Sequence, residues 1–562
     1  MFQQSPDPVA GSLALSALCA AVPLLTLFVL LGGLRMKAWL SGLISLAVAL
    51  AVAVVLFEMP LGQALLSGTE GAAFGFFPIL WIVINAIWVY NLTVASGHFD
   101  VLRRSFEKVS PDQRIQAIII AFCFGALLEA LAGFGTPVAI TVVMLMAMGF
   151  KPIKAASVAL IANTAPVAFG ALATPIVTLA TVSSGASNDP GLTVDTLGSM
   201  VGRQTPILAV IVPLVLVFVV DGRRGVKQTW LPALVCGVAF GLAQFVASNY
   251  ISVPLADIVA ALVSAAAVVL LLRVWKPAEV LAADPSDAKV RAGAGAGAGA
   301  GTGSSADHDG PVRDSKADVI RAYAPYLVII AIFSIMNITA VKEFFAKEPF
   351  TKIFAWPGLD IRNPSGDAVT TTNFTFNWLP AAGTLMIIAG IITAVILRVS
   401  AREALRTYGK TYVELSSAII TVMAVLALAY VMNLSGQTAS LGAWLAGAGS
   451  AFAILSPILG WLGVAVTGSD TSANALFGAL QVQTADSAGL DPVLMAAANS
   501  SGGVLGKMVS PQNLAIAAAA VGLAGKEGDI FRKVIGWSLV LLAMMCVIVW
   551  LQSTPVLEWM VP

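Results

Sequence analysis

Apolar runs of about twenty residues recur from one end of this chain to the other, and that is the length a helix needs to cross a hydrocarbon layer. The candidate spans are 12–34, 38–57, 76–95, 115–132, 136–150, 155–185, 204–220, 229–247, 257–274, 322–341, 378–398, 415–434, 450–469, 472–485, 493–524 and 533–552. Gly and Pro interrupt 115–150, 155–185, 450–485 and 493–524, which read as broken or re-entrant helices, so 12–16 crossing or re-entrant elements are expected. Lipid offers no partner to an exposed peptide group, so such a chain must be helical where it spans. The fold class is therefore an all-α polytopic transmembrane bundle.

Composition sharpens what this excludes. Charged residues make up 11% of the chain and mean hydropathy is +0.90, whereas soluble domains carry about 25% charged residues. Lys plus Arg number 31 against 30 Asp plus Glu, so no basic field attracts nucleic acid. Cys19, Cys123, Cys236 and Cys546 are well separated in sequence and form no CxxC pair. With His98 and His308 as the two histidines, neither a metal site nor a disulfide framework is expected. Residues Met1–Ala10 carry no basic region and the first run is long enough to span, so no cleavable leader is expected.

Short loops rich in Lys and Arg mark the cytoplasmic side. Arg35/Lys37, Arg103/Arg104/Lys108/Arg114, Lys151/Lys154, Arg223/Arg224/Lys227, Arg398/Arg402/Arg406/Lys410 and Lys526/Arg532/Lys533 form such loops, while Ser183–Ser199 and Gln481–Pro492 have none. The alternation places both termini on the outer side. Three parts follow: an N-terminal transmembrane half, 1–274; a polar Gly/Ala linker, 275–320, read as disordered and cytoplasmic; and a C-terminal transmembrane half, 321–562. Lys342–Asn377 reads as a partly structured outer loop.

The halves share an ordered set of landmarks. Val89-Tyr-Asn-Leu-Thr93 recurs as Val431-Met-Asn-Leu-Ser435, and Ala162-Asn-Thr164 as Ala498-Asn-Ser500. Asn163 to Pro175 and Asn499 to Pro511 are both 12 positions, while Asn91 to Glu129 is 38 and Asn433 to Asp470 is 37. By the charge rule the Asn91 and Asn433 spans run in opposite directions, so repeat 1 (about 38–220) and repeat 2 (about 378–552) are inverted. Inverted repeats with interrupted helices are the architecture of secondary transporters, whose sites lie near the midplane.

Four clusters carry the candidate chemistry. In Phe124–Pro137, Gly133, Gly135 and Pro137 end one helix and start another, exposing carbonyls and amides. Glu129 stands there in uncharged surroundings; it is a candidate proton carrier, against the blander reading of a carboxyl at the membrane rim. In the second cluster Pro166, Gly170 and Pro175 break a helix, and Asn163 and Thr164 offer hydrogen bonds to a small hydroxy acid or to a neighbouring helix. The third, Gly468–Asn474, holds Ser469, Asp470 and Thr471; Asp470 mirrors Glu129 as a proton-coupling candidate. The fourth holds Asn499, Ser500 and Ser501, then Gly502, Gly503, Gly506, Lys507 and Pro511. The three glycines and Pro511 are expected to break the helix. Lys507 is expected to pair with Asp470 or with a bound anion, or else to snorkel to the surface. Arg203 is a further possible anion contact, with an interface anchor as the simpler reading.

At these motifs the chain resembles the bacterial L-lactate permease family, which also contains glycolate permeases. The matching stretches include Ser110–Arg114, Phe122–Ala126 with Glu129, Ala132–Gly135 with Pro137–Ile140, Asn163–Gly170, Met200–Gln204, Gly460–Gly463, Thr467–Ser472, Asn474–Phe477, Gly506–Met508 and Ser510–Gln512. The resemblance covers nearly everything outside 278–320 and 342–377, and it implies a proton-coupled symporter of lactate and related 2-hydroxy monocarboxylates in the inner membrane. Ala130, Leu131 and Thr136 depart from the family's usual wording, a difference that bears on substrate size. The residues by themselves lead to a secondary transporter without cofactor other than its coupling ion, with a small organic acid and the bilayer as partners. Sodium coupling through Ser469, Thr471 and Asn474, a passive channel, and a membrane-embedded enzyme using Glu129 and Asp470 stand as alternatives. Neither a Walker A motif nor a Gly-x-Ser-x-Gly elbow supports ATP-driven or hydrolytic chemistry.

Overall fold

The computed structural model describes residues 1–281 and 314–562 apart from Phe134, Asn188, Ser365 and Asp367. Most of the polar linker, including the Ala-Gly repeat and His308, lies outside the described residues. Among those described, ten helices are long and apolar enough to cross a membrane. The number becomes eleven when Pro152–Ala162 and Val167–Ser183, bent by 63° at their junction, count as one broken span. The protein is thus a multi-pass helical bundle. The two expected spans 204–220 and 229–247 are two antiparallel helices: the backbone leaves helix geometry at Asp221, Gly222 and Thr229, and Gly237 and Gly241 pack back against Val210 and Pro206. Leu61–Phe74 is a helix that hydropathy did not single out; it continues through a break at Phe77–Pro78 into Trp81–Ala95. Its moderate polarity, with Gln63, Thr69 and Glu70, hid it, yet Glu70 is completely buried.

Two helical hairpins organise the interior. Gln113–Leu131 leads in and Thr136–Ala147 leads back, and Gln113 donates from Nε2 to the Met148 carbonyl at 3.2 Å, tying both ends to one face. That face is the Lys/Arg-rich one. Buried Arg114 reaches Asp112 at 2.7 Å and Asp221 at 3.1 Å, and Lys154 Nζ donates to the Val220 carbonyl at 2.6 Å. The beginning of the linker docks here too: Arg114 donates to the Glu279 carbonyl, and the Leu281 amide to Asp112. At the linker's far end Asp314 pairs with Arg104 at 2.6 Å.

The second hairpin, Phe452–Thr467 and Asp470–Ala488, is closed by Gln481 Nε2 donating to the Ser456 carbonyl at 3.1 Å. Its base lies near Gly191 and Val493, one helix length (Val194–Val220) from Asp221, hence on the opposite face. The hairpins therefore enter from opposite faces, the inversion expected from the charge pattern. Behind each follows a broken helix: Pro152–Ala162 with Gly170–Ser183, and Pro492–Gly506 with Pro511–Ala520.

The termini and the long loop close the second face. Phe2–Gln3 pairs in parallel with Ile361–Arg362, and Lys352–Ala355 pairs antiparallel with Asn373–Phe376. Gln4 Nε2 donates to the carbonyls of Asn433 (2.8 Å) and Leu434 (3.1 Å), where the helix Ser416–Leu434 ends. Arg203 is an anchor: it donates to Asn249 Oδ1 and to the Met560 carbonyl.

Candidate functional site

The site is built where the helices break. Gly133 and Gly135 have φ of +47° and +83°, a region that only glycine enters without strain. The chain turns there, ending the helix that carries Glu129 and starting Thr136–Ala147 with Pro137 in its first turn. In the broken helix alongside, Asn163 ends Pro152–Ala162, and Ala171, Leu172 and Ala173 follow with φ of +44°, +57° and +59°. Three successive side-chain-bearing residues in the left-handed region cost about 1–2 kcal/mol each, a strain held only where surrounding packing dictates it. The result brings Gly170 against Glu129: a methyl group on Gly170 would lie 2.9 Å from Oε1.

Glu129 is almost fully buried and doubly held. Its Oε1 accepts from Lys507 Nζ at 2.6 Å and its Oε2 from Asn163 Nδ2 at 2.9 Å. Lys507 stands 378 positions away, in the single 3-10 turn Lys507–Val509 that separates Pro492–Gly506 from Pro511–Ala520. The ion pair thus clasps the first hairpin to the second broken helix. Lys507 neither pairs with Asp470 nor snorkels to the surface. The Ser510 hydroxyl and Asn513 Nδ2 both donate to the Lys507 carbonyl, fixing the turn that presents the ammonium.

Asp470 occupies the mirrored position, just after Gly468 (φ +76°) and in the first turn of Asp470–Ala488. A helix start favours a carboxylate, and Ser469 caps it by accepting from the Ser472 amide. Oδ2 accepts from Ser500 Oγ at 2.6 Å and from Asn474 Nδ2 at 3.4 Å, while buried Oδ1 has no hydrogen-bond partner. Behind it runs an amide chain: Gln481 donates to Asn499 Oδ1, Asn499 to Asn474 Oδ1, and Asn474 to the Pro175 carbonyl at the first broken helix.

Both acids face one cavity of about 1010 Å³. Its inner wall includes Glu129, Gly133, Gly170, Thr174, Pro175, Gly468, Ser469, Asp470, Thr471, Lys507 and Pro511; its mouth is marked by Arg35, Lys37 and Glu527 on the Lys/Arg-rich face. Of the residues singled out from sequence, Glu129, Asp470, Lys507, Ser469 and Thr471 therefore share one wall. Asn163, Thr164, Asn499, Ser500 and Ser501 do not reach it. Asn163 and Ser500 stand behind the carboxyls as their donors, Thr164 Oγ1 donates to its own helix at Ile161, and Ser501 Oγ is buried without a partner.

The expected breaks need one correction. Gly133, Gly135, Pro137, Pro166, Gly170, Pro175 and Pro511 do sit at or beside interruptions, but Pro492–Gly506 runs unbroken through Gly502 and Gly503 and ends at Gly506. Glycine lacks a donor-blocking ring, so it tolerates helix geometry where proline does not. These glycines allow close approach instead. A methyl group on Gly502 would strike the Pro457 backbone, one on Gly506 the Trp461 carbonyl, and one on Gly503 the Asp470 carboxyl. Sequence reasoning missed Asp257, Gln244 and Gln481, whose signal was a polar side chain inside or at the edge of an apolar run.

The chain is similar to known proteins over nearly its whole length. Residues 16–556 match the family model of the L-lactate permease. The chain is 41% identical over 579 residues to an L-lactate permease of Bacillus subtilis, covering all of both chains. It is 42% identical over 557 residues to the glycolate permease GlcA of Escherichia coli K12, covering 97% of this chain and 96% of that one. Among solved structures it is similar to the Alcanivorax borkumensis YdaH transporter, with TM-score 0.43, 14% identity and 86% of each chain covered. The helical bundle, its paired hairpins and this match over nearly the whole length together make the chain a membrane transporter, not an enzyme, that belongs to the L-lactate permease family.

Proposed function

We propose that the protein carries lactate, glycolate and related 2-hydroxy monocarboxylates across the bacterial inner membrane, each with one proton. The observation that carries this reading is the buried Lys507–Glu129 pair in the cavity wall. A substrate carboxylate entering the cavity competes with Glu129 for the ammonium. Once Lys507 turns to the substrate, Glu129 is a carboxylate in a poorly solvated wall without its cation, and it takes up a proton. Empty, the pair is neutral. Loaded, the ammonium, the bound anion and the protonated Glu129 are neutral as well, so the site changes access without moving net charge through lipid.

Other wall groups fit the rest of such a substrate. Ser469 and Thr471 at the start of Asp470–Ala488, with Thr174 across the cavity, offer hydroxyls for a 2-hydroxy group, and the helix start adds its dipole for an anion. Asp470, held by Ser500, is the second carboxyl available for the coupling ion. The cavity mouth lies beside Arg35 and Lys37; by the charge rule that face is cytoplasmic, so this conformation is open inward and both termini lie outside.

The test is uptake of labelled L-lactate into proteoliposomes under an imposed pH gradient in sodium-free medium, with unlabelled hydroxy acids as competitors. Wild type should accumulate lactate uphill, and Glu129→Gln should not. Full acid-driven accumulation by Glu129→Gln removes Glu129 from the coupling. Accumulation that requires sodium replaces the proton as the coupling ion.

A further inference from the structure

Asp257 is completely buried in the first turn of Ala256–Val274, a membrane-spanning helix. Its Oδ1 accepts from Gln244 Nε2 at 2.9 Å, and its Oδ2 has no hydrogen-bond partner among the described residues. The same Gln244 amide reaches the Ala165 carbonyl at 3.4 Å, two positions past Asn163, which holds Glu129. Asn163 Oδ1 is likewise buried and unpartnered. Among the described residues, the charged groups that act on Asp257 are Glu129 and Lys507; the polar side chains beside it are Gln244 and, through Gln244, Thr205.

The polar string continues away from the cavity. Thr205 donates to Gln244 Oε1, and its chain neighbour Gln204, in a separate pair not hydrogen-bonded to Thr205, donates to Gln552 at 2.9 Å with its own Oε1 buried and unpartnered. Gln552 ends the helix that begins at Glu527, and Glu527 lines the cavity mouth. Those 26 residues at roughly 1.5 Å each span about 39 Å. These buried polar groups therefore lie stepwise toward the membrane face opposite the mouth, and at the inner end Gln244 reaches the Ala165 carbonyl, two positions from the Asn163 that holds Glu129.

A helix start explains one acidic side chain at this position, but it does not explain an unpartnered oxygen or the glutamine that joins the carboxyl to the break behind Glu129. Buried polar atoms without partners are where ordered water or a transferable proton belongs. Side-chain amides do not ionise, so Gln244 and Asn163 hold the two carboxyls in place and do not carry the proton themselves.

We propose that Asp257 is a second proton-carrying carboxyl, loaded from the face opposite the cavity mouth and exchanging its proton with Glu129. This rests on the proton-coupled reading above. In the transfer, relayed by water between the two carboxyls, the O–H bond of Asp257 breaks as water takes its proton and water gives a proton that forms an O–H bond on the Glu129 carboxylate; the negative charge passes to Asp257, and Lys507 is released to a substrate anion. Water on the far face then returns a proton to Asp257.

The experiment compares Asp257→Asn with wild type in proteoliposomes, reading acid-driven lactate accumulation and lactate exchange at equal pH on both sides. Accumulation should slow by about 100-fold, the low end of what a positioned proton carrier contributes, while exchange stays within about twofold and Asp257→Glu restores accumulation. Where Asp257→Asn fails to fold, Gln244→Leu keeps the carboxyl and should show the same split in milder form. Wild-type-like accumulation by Asp257→Asn, or equal loss of exchange and accumulation with no rescue by Glu, overturns the proposal and leaves the proton-coupled reading intact. A wild type that accumulates nothing under the pH gradient sinks that reading first, and this proposal with it.

Discussion

Neutralising Glu129 alone should harm the protein more than neutralising Glu129 and Lys507 together. The pair is 2.6 Å apart with side chains 3% and 7% exposed, and removing one member of a buried pair leaves an uncompensated charge worth about 3–5 kcal/mol. The cavity lets some water reach this wall, which places Glu129→Gln near the lower figure. Lys507→Met leaves Glu129 with Asn163 as its remaining donor, so that variant too should lie below the double variant. The double variant removes both charges while keeping volume, a change that is often close to neutral. Thermal unfolding in detergent, followed by circular dichroism, should place the double variant's midpoint above Glu129→Gln. Lactate should raise the wild-type midpoint, by the equivalent of about 2.7 kcal/mol at a hundred times its dissociation constant. Both charge-deleted variants lacking Lys507 should lose that protection. Single effects that add in the double to within about 0.5 kcal/mol would refute the coupling.

Three further outcomes follow from local geometry. Gly502→Ala forces a methyl group onto the Pro457 backbone and should cost about 1–3 kcal/mol by overpacking; Gly409→Ala, in a helix with open space around it, should instead stabilise by roughly 0.5–1 kcal/mol, both read as melting shifts. Glu70 has both oxygens buried without partners, so Glu70→Met should stabilise by about 1–3 kcal/mol; a lower midpoint would show that its carboxyl is held in a way this packing does not reveal. The hydrogen bond from Arg104, helped by the charge of Lys108, holds the Asp314 carboxyl below its usual range. Its folded value is depressed, so the anchoring is complete above the ordinary carboxylate value near 4 and is lost as pH falls through the lower one. Hydrogen-exchange protection around Lys316–Arg321, taken relative to the intrinsic rate at each pH, should be flat from about pH 8 to 5 and fall only in stronger acid, and Arg104→Ala should remove that step.

Much of the site was legible because its signals are local. Hydropathy over a twenty-residue window finds spans, and proline or a glycine pair inside one marks an interruption, so Gly133, Gly135, Pro166 and Pro511 lie where the backbone turns. A charge inside an apolar run stands out by the same logic, which picks out Glu129, Asp470 and Lys507. Leu61–Phe74 escaped because Gln63, Ser67, Thr69 and Glu70 lower its hydropathy, although Ser67 and Glu70 are buried in the bundle. Asp257 escaped because a carboxyl at the edge of a run looks like a boundary.

The amino-acid order, then, determined the membrane class, most of the interruptions and the three ionisable groups. Only the tertiary structure decided which of these groups meet. Lys507 finds Glu129 across 378 positions and passes by Asp470, 37 positions away. Asn499 and Ser501 lie behind the wall instead of in it. The reason is physical: a helix break is dictated by the few residues that make it, whereas the depth at which two hairpins from opposite faces stop against each other depends on every packed contact along both.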